Sequence, residues 1–371
     1  MENKIQSFSK SFSIAEFFPK EALEEIWEAY FDLSEGIFSE FNEKRRLPDR
    51  GVVRRLFSTT NPLYTARRWL VFSEAQQVVA YARMSYDTEL SPDFEINKHI
   101  YQVQISVAEA FRGKKIASMI IKYMNGIAKE MGKETLMADV NNPIGIKFCR
   151  YLKGQEVLEE LQQRLYLEDI DWKLAKEWAK KAKAKSPHTT TDLFQDCPES
   201  DIDEFCRVYT ETINQRPTGG MEQEIITSPE SRRIEERNLR KRGIEYYTMI
   251  CREQDGRISA LTDIMYNPEE PYKVNQYFTG VLDRYRRKGL AKRLKVEMLF
   301  VIRDKFPDVE YIRTMTAKTN QPMLAINRSL GFQPTKTCII FQWALPDLEK
   351  RLDEILQYPE KPNKIQTTGR I

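Results

Sequence analysis

The chain of 371 residues is long for one domain and comfortable for two, and 41% hydrophobic with 30% charged residues is ordinary for a soluble globular protein. A net charge of +3 gives no basis for nucleic-acid binding, and neither a membrane-length apolar run nor a signal-peptide pattern is present, so we expect a cytoplasmic protein. Two histidines and five cysteines without metal-like spacing predict no metal site and reduced thiols.

The first half of the chain alternates between helical and strand-like patterns. Apolar residues recur every three or four positions over 20–41, which predicts a helix. Two strand-like runs around a short polar turn predict a hairpin, and alternation over 101–107 predicts another strand. A basic loop, a helix, a strand, a second helix-like run and a closing strand follow, over 107–117, 118–131, 135–140, 141–154 and 164–170.

A basic segment, 171–185, connects this half to the next. Asp171 is a plausible N-cap, Leu174 and Trp178 share one face, and Ser186-Pro187 ends the helix. We interpret it as a solvated linker helix in preference to a surface for acidic lipid or RNA, because runs of charge usually mark solvated faces.

The second half repeats this order. A Gln254-Asp-Gly turn separates two strand-like runs and predicts a hairpin. Helices are predicted near 201–212 and 231–242, strands at 246–251, 257–266, 310–315 and 338–343, and a final apolar-striped helix at 347–358, after which the tail is polar.

The segment 281–291 carries the strongest functional signal. A strand-like run turns through a basic loop with one corner glycine, Gly289, directly into an amphipathic helix. Free backbone N–H groups and the positive end of the helix dipole then meet at one spot that suits a pyrophosphate. Further along, the segment 319–332 has Asn320 near its start and ends in Leu-Gly-Phe.

These two motifs together resemble the GNAT N-acetyltransferase superfamily, and both recur in the first half. Arg112-x-x-Lys115-x-Ala117 matches Arg286-x-x-Gly289-x-Ala291, and Asn142 to Leu152-Lys-Gly154 matches Asn320 to Leu330-Gly331. The copy spacing is 174 residues. The whole chain therefore resembles a tandem-GNAT protein of the mycothiol-synthase-like type, and the C-terminal copy carries most of the resemblance.

The resemblance implies an α/β (α+β) fold in two copies, each with a mixed, mostly antiparallel sheet flanked by helices. We predict an N-terminal domain at 1–170, a linker helix at 171–190, a C-terminal domain at 191–346 and a terminal helix with tail at 347–371. The resemblance also implies acetyl-CoA as cosubstrate, a small amine as partner and a monomer with an internal pseudo-dimer. The expected contacts of acetyl-CoA are Val281, Leu282, Arg286, Arg287, Lys288, Gly289, Leu290, Ala291, Asn320 and Asn327.

The catalytic residues are less clear, because the resemblance places a Glu base where Asn275 stands and a Tyr acid where Asn327 stands. Asn275 is predicted to order a water, and Tyr277 to donate a proton or to pack across strands. Glu222 and Glu224 are predicted to bind a cationic substrate or to be solvent-facing acids. A backbone N–H near Val281 or Leu282 is expected to stabilise the thioester oxygen.

The two copies are predicted to be unequal. Lys115 stands where the loop glycine belongs, and a side chain there is expected to crowd a pyrophosphate, so the N-terminal copy is read first as structural. The leading function is acetyl-CoA-dependent N-acetyl transfer to a small amine or aminoacyl compound through the C-terminal copy. The alternative is a non-catalytic acetyl-CoA-binding scaffold or sensor.

Overall fold

A computed structural model describes residues 6–7, 9, 11–41, 46–221 and 224–357. The strands of these ranges are β1 (Gln6–Ser7), β2 (Phe12–Glu16), β3 (Tyr64–Ser73), β4 (Val78–Asp87), β5 (Ile100–Val107), β6 (Thr135–Val140), β7 (Gln155–Tyr166), β8 (Thr190–Phe194), β9 (Glu245–Arg252), β10 (Ile258–Tyr266), β11 (Lys273–Val281), β12 (Tyr311–Ala317) and β13 (Gln333–Ala344).

The helices of the described ranges flank these strands, and none of them is long and apolar enough to span a membrane. Asp171 accepts the backbone N–H of Leu174, which confirms the predicted N-cap of the linker helix. The helices are α1 (Glu24–Phe41), α2 (Arg50–Ser58), α3 (Phe94–Asn97), α4 (Ile116–Glu130), α5 (Pro143–Tyr151), α6 (Trp172–Lys185), α7 (Ile202–Asn214), α8 (Pro229–Lys241), α9 (Leu290–Lys305), α10 (Gln321–Leu330) and α11 (Leu345–Gln357).

One continuous sheet joins both copies, and the predicted hairpins β3–β4 and β9–β10 are confirmed within it. Among the described residues its strand order is β1-β2-β3-β4-β5-β6-β13-β7-β12-β11-β10-β9-β8. All pairings are antiparallel except β5 with β6 and β11 with β12. The mixed, mostly antiparallel sheet predicted from the sequence is confirmed.

The last strands of the two copies are exchanged. β7, which closes the N-terminal copy in sequence, pairs with β12, whereas β13, which closes the C-terminal copy, pairs with β6. The two exchanged strands also pair with each other at the centre of the sheet. The predicted domain limits therefore describe the sequence repeat, while each spatial half contains the final strand of the other copy.

The exchange carries the following helices with it. Helix α11 packs on α4, and its apolar stripe (Leu345, Leu348, Leu352 and Ile355) joins the N-terminal core. Helix α6 packs on α9, and Ala175 joins the C-terminal core. The docked terminal helix predicted from the stripe is confirmed, and its partner is the other copy.

One predicted strand is misplaced. The closing strand expected at 164–170 is instead β7, which ends at Tyr166, and a short 3-10 turn, Leu167–Asp169, follows it. The first part of β7 is rich in Glu and Gln, so its hydrophobic period is weak. Ladder hydrogen bonds to a strand on each side hold it in the sheet despite that pattern.

Candidate functional site

Each copy has one pair of parallel strands that separates after a short contact. Strands β5 and β6 pair only over Ile100–Gln102 and Thr135–Met137, and β11 and β12 only over Lys273–Asn275 and Tyr311–Arg313. Beyond these contacts, neighbouring backbones no longer satisfy one another, so each opening exposes polar backbone groups to a ligand. The basic loop and the Asn-capped helix of each copy follow the open ends of these strands.

The two basic loops have the same backbone shape. Left-handed residues occur at 113 and 115 in the first copy, and at 287 and 289 in the second, which is the 174-residue spacing of the repeat. Each loop has one glycine and one cation at these positions: Gly113 and Lys115, then Arg287 and Gly289. An L-residue held there costs about 1–2 kcal/mol, so the surrounding strand–helix frame imposes the shape.

Lys115, which was expected to crowd a pyrophosphate, has its ammonium group bonded to a neighbouring helix. Its Nζ donates to the carbonyl oxygen of Ile355 at 2.8 Å, in the last turn of α11. Helix C-termini have unpaired carbonyls, and the lysine satisfies one of them. The Lys115 ammonium is thus held by α11, while Lys115 and Ile355 both still line the cavity, so the expected crowding stays a prediction.

The first arginine of each loop ties that loop to the helix before the hairpin. Arg112 forms a two-pronged ion pair with Glu40 of α1 at 2.5 Å. Arg286 donates to Gln215, just after α7, at 2.6 Å and pairs with Asp283 at 2.7 Å. Each arginine therefore also holds its own loop, which competes with direct binding of a ligand.

A cavity of about 1680 Å³ lies against the centre of the sheet and reaches both strand openings. From the C-terminal copy it is lined by 276–279 of β11, 314–317 of β12, Asn320 and Met323. From the N-terminal copy it is lined by 103–107 of β5, by Asn142 and by the loop residues Arg112, Gly113 and 115–117. Loop residues 286–291 do not line it, so the two copies face the cavity differently.

Of the two predicted catalytic residues, only Tyr277 lines the cavity. Tyr277 retains 56% of its accessible surface although many protein atoms lie around its phenol, and burial together with Glu235 raises its pKa while Arg216 lowers it. The side-chain oxygen of Asn275 accepts from Arg313 Nε at 2.8 Å. That bond directs the Asn275 oxygen to Arg313, and Asn275 does not line the cavity in which it was expected to order a water.

Two predicted cofactor residues lie in the core. Asn327 is fully buried, and its amide donates to Gln163 at 2.9 Å and to Thr316 at 3.1 Å, so it ties α10 to the sheet. Leu282 is also fully buried, and its backbone N–H donates to the Ser259 carbonyl at 3.0 Å. Neither the Asn327 amide nor the Leu282 N–H is thus available to a ligand, which corrects both expectations.

The remaining predicted residues have mixed positions. Asn320 lines the cavity while its side-chain oxygen caps α10 by accepting from Met323 N at 3.3 Å. Glu224 is exposed, and its backbone is held by Asn97 of α3. Glu222 lies outside the described residues. Val281 is the last residue of β11, and Leu290 and Ala291 begin α9. Arg287 and Lys288 are exposed on the loop between them.

A carboxylate that the sequence did not reveal lies in the cavity wall. Glu160 of the exchanged strand β7 is half-buried; desolvation raises its pKa, Arg216 lowers it and Asp139 raises it further. Arg216 and Tyr277 line the same cavity. The sequence signal was absent because Glu160 comes from the other copy and reaches this opening only through the strand exchange.

A bulge in β11 distinguishes the C-terminal opening from the N-terminal one. Thr262 of β10 opposes Thr279, but Ile264 opposes Gln276, so β11 has one extra residue around Tyr277 and Phe278. A bulge leaves a residue outside the ladder. The equivalent pair, β4 and β5, keeps an unbroken register from Ala80 to Ser85. The bulge therefore separates the ladder at Tyr277 and Phe278, whose side chains line the cavity, and the N-terminal opening has no equivalent.

Comparison with known proteins gives the family and the fold. Residues 21–152 match the acetyltransferase (GNAT) family. A tandem GNAT protein from the clavulanic acid biosynthesis pathway is 17% identical, with a TM-score of 0.70 over 90% of this chain and 98% of its own. A GCN5-related N-acetyltransferase from Sphaerobacter thermophilus is 14% identical, with a TM-score of 0.63 over 90% and 96%. No curated sequence matches the chain.

A third similar structure extends the comparison beyond acetyl transfer. Saccharomyces cerevisiae N-myristoyltransferase with bound myristoyl-CoA is 13% identical, with a TM-score of 0.56 over 92% of this chain and 80% of its own. The chain thus has the tandem GNAT fold, and residues 21–152 form a GNAT-family domain. The predicted superfamily is confirmed by the fold, and the family match is to acetyltransferases over residues 21–152. The family match falls on the copy that the sequence analysis considered degenerate.

Proposed function

We propose that the chain is an acetyl-CoA-dependent N-acetyltransferase that acts on a small amine through its C-terminal copy. The observation that carries this proposal is the opening between β11 and β12. That opening combines separated strands, a bulge around Tyr277 and a cavity that also contains Glu160. The N-terminal opening has the separated strands without the bulge.

The C-terminal loop fits the pyrophosphate of a CoA thioester. Gly289 has a φ of +82°, and a Cβ built there meets no atom within 4 Å, so the space above the loop is open to a ligand. Residues from Leu290 onward begin α9, whose first N–H groups have no partner inside the helix. These donors and the helix dipole stabilise an anion bound at this end.

The acid and base follow from the cavity wall. Acetyl-CoA supplies the activated acetyl group when bound. Glu160 can accept the proton that the acceptor nitrogen loses as the N–C bond forms, and its raised pKa brings it closer to the working range of a base near neutral pH. Tyr277 can donate its phenolic proton toward the leaving sulfur.

A second candidate is supported by the cavity itself. Arg112, Gly113 and residues 115–117 of the first loop line the cavity directly, and the Lys115 ammonium is bonded to the Ile355 carbonyl of α11. These observations favour binding of a CoA thioester in the N-terminal copy as well. If neither copy transfers the acyl group, the chain is the non-catalytic acetyl-CoA-binding protein that the sequence left as its alternative.

A screen of amines against acetyl-CoA tests the proposal. The release of free thiol is measured together with the mass of the acetylated amine, so that hydrolysis is distinguished from transfer. We expect amine-dependent thiol release from the wild-type protein and its loss in Gly289→Val. Tight acetyl-CoA binding without transfer to any amine would instead establish the binding protein.

A further inference from the structure

Lys295 is a buried lysine in the wall of the cavity. It belongs to α9, retains 2% of its accessible surface and lines the cavity with Thr314, Thr316 and Asn320. No hydrogen bond or ion pair joins its Nζ to another residue in the described part of the chain, and the nearest ring, that of Phe332, has its centroid 5.2 Å away. Desolvation alone lowers the pKa of Lys295 to about 7.

The equivalent residue of the first copy shows that a cation is not needed for packing. Ile121 stands 174 positions earlier, is buried in α4 and lines the same cavity. An apolar side chain is thus compatible with this position in the fold. A lysine there adds the cost of burying an amine whose charge has no partner, and a bound anion would offset that cost.

The anion is not the pyrophosphate of a CoA thioester. The pyrophosphate position is at the N-terminus of α9, by Gly289, and Lys295 lies five residues beyond the first helical residue, roughly 7.5 Å along the axis. Residues 286–291 of the loop do not line the cavity, whereas Lys295 lines it together with Thr314 and Thr316 of the strand opening. A group that reaches this depth belongs to the acyl chain or to the acceptor.

On the basis of the proposed function, we propose that Lys295 binds a carboxylate of the substrate inside the C-terminal opening. A carboxylate matches the lysine in charge and offers acceptors for its three N–H donors. Two sources have this chemistry: an acyl-CoA with a terminal carboxyl group, and an amino acid that serves as acceptor. In both cases Lys295 favours a substrate that has a carboxylate, whereas Ile121 of the other copy has no charge to bind one.

Isothermal calorimetry on the full chain separates the two sources. One arm compares succinyl-CoA with acetyl-CoA, and the other compares L-lysine with cadaverine, its decarboxylated form. We expect the carboxylate-bearing probe of one arm to bind on the order of tenfold more tightly. That preference should disappear in Lys295→Met and persist in Lys292→Met. Lys292 is a matched control on the same helix, α9, and its Nζ lies over the Trp178 ring of α6.

A preference that appears only with succinyl-CoA identifies the acyl group, and one that appears only with L-lysine identifies the acceptor. Equal binding within both arms, or a preference that survives in Lys295→Met, would overturn the inference. Lys295→Ile is a second variant, which reproduces the residue of the first copy. If neither variant folds, the comparison of the two probes within each arm on the wild-type protein decides. Amine acetylation without any carboxylate preference would sink only this inference, whereas failure of every CoA thioester to bind would sink the proposed function.

Discussion

The two basic loops share a backbone shape but not a sequence. The first has glycine at 113 and lysine at 115, and the second has arginine at 287 and glycine at 289, yet all four residues are left-handed. The strand before each loop and the helix after it therefore set the conformation, and one glycine per loop is sufficient. The absence of a glycine at position 115 therefore does not by itself show that a binding site has been lost, because the lysine that stands there is bonded to α11.

The two openings differ more than the loops do. The C-terminal one has a bulged strand with Tyr277, Glu160 from the exchanged strand, and Lys295 beneath. Around the N-terminal opening the cavity wall has an aromatic cluster from α1, α2 and β4, together with the charged residues Arg83 and Asp139; the cluster is Tyr30, Phe38, Phe41, Phe57 and Tyr81. The contrast favours chemistry in the C-terminal copy and a shaping or binding role for the N-terminal copy.

The largest effect that would sharpen this contrast is expected from Glu160→Gln. The substitution removes the proposed base with little change in size, so we expect kcat/KM for the amine to fall on the order of 100-fold. Glu159→Gln is the matched control, because Glu159 pairs with Lys318 at 2.9 Å and does not line the cavity. The acidic limb of the wild-type pH profile should also vanish in Glu160→Gln; unchanged activity would exclude Glu160 as the base.

The next largest effect compares the two glycines directly. Gly289→Val and Gly113→Val each place a β-branched side chain at a left-handed position with open space above it, so folding strain is matched. We expect Gly289→Val to weaken acetyl-CoA binding by about 2 kcal/mol or more through lost N–H contacts, and Gly113→Val to have a smaller effect. Calorimetry decides this, and the reverse ranking would move the principal site to the N-terminal copy.

A smaller effect concerns stability at the position where the copies have Lys295 and Ile121. The pKa of Lys295 is lowered to about 7 from 10.5, so between these values the unfolded chain binds a proton that the folded chain does not, and stability rises with pH. Lys295→Met has no such penalty, so its stability relative to wild type should be highest below pH 7 and should fall toward pH 10, by up to about 1.4 kcal/mol for each pH unit between the two pKa values. Urea unfolding at both pH values measures it, and a pH-independent difference would contradict the buried cation.

The sequence predicted the repeat, the hairpins, both loops and the docked final helix, because each depends on a local period or a short motif. It could not predict the exchange of β7 and β13, since either strand has the pattern to pair with either neighbour. Glu160 was missed for the same reason, as its place in the C-terminal opening depends on which copy β7 joins. Asn327 was assigned to the cofactor because spacing along a helix does not show which face is buried.

The direction of the Lys115 side chain was likewise set by a distant element, α11, and it allows a last and smallest test. Lys115→Met removes the bond to the Ile355 carbonyl, so the free energy of unfolding should fall by about 1 kcal/mol. Lys115→Gly loses the same bond but relieves the left-handed strain of about 1–2 kcal/mol, so its stability should be near that of wild type.

Lys114→Met serves as the control for this pair, because Lys114 Nζ lies over the Phe111 ring and the substitution leaves the link to α11 intact. Since the Lys115 ammonium is bonded to α11, neither Lys115→Met nor Lys115→Gly should change the number of acetyl-CoA molecules bound per chain. Urea unfolding and calorimetric titration give the two readouts. A new acetyl-CoA site in Lys115→Gly would show that the lysine does block the N-terminal loop in solution, and would restore the inequality that its sequence first suggested.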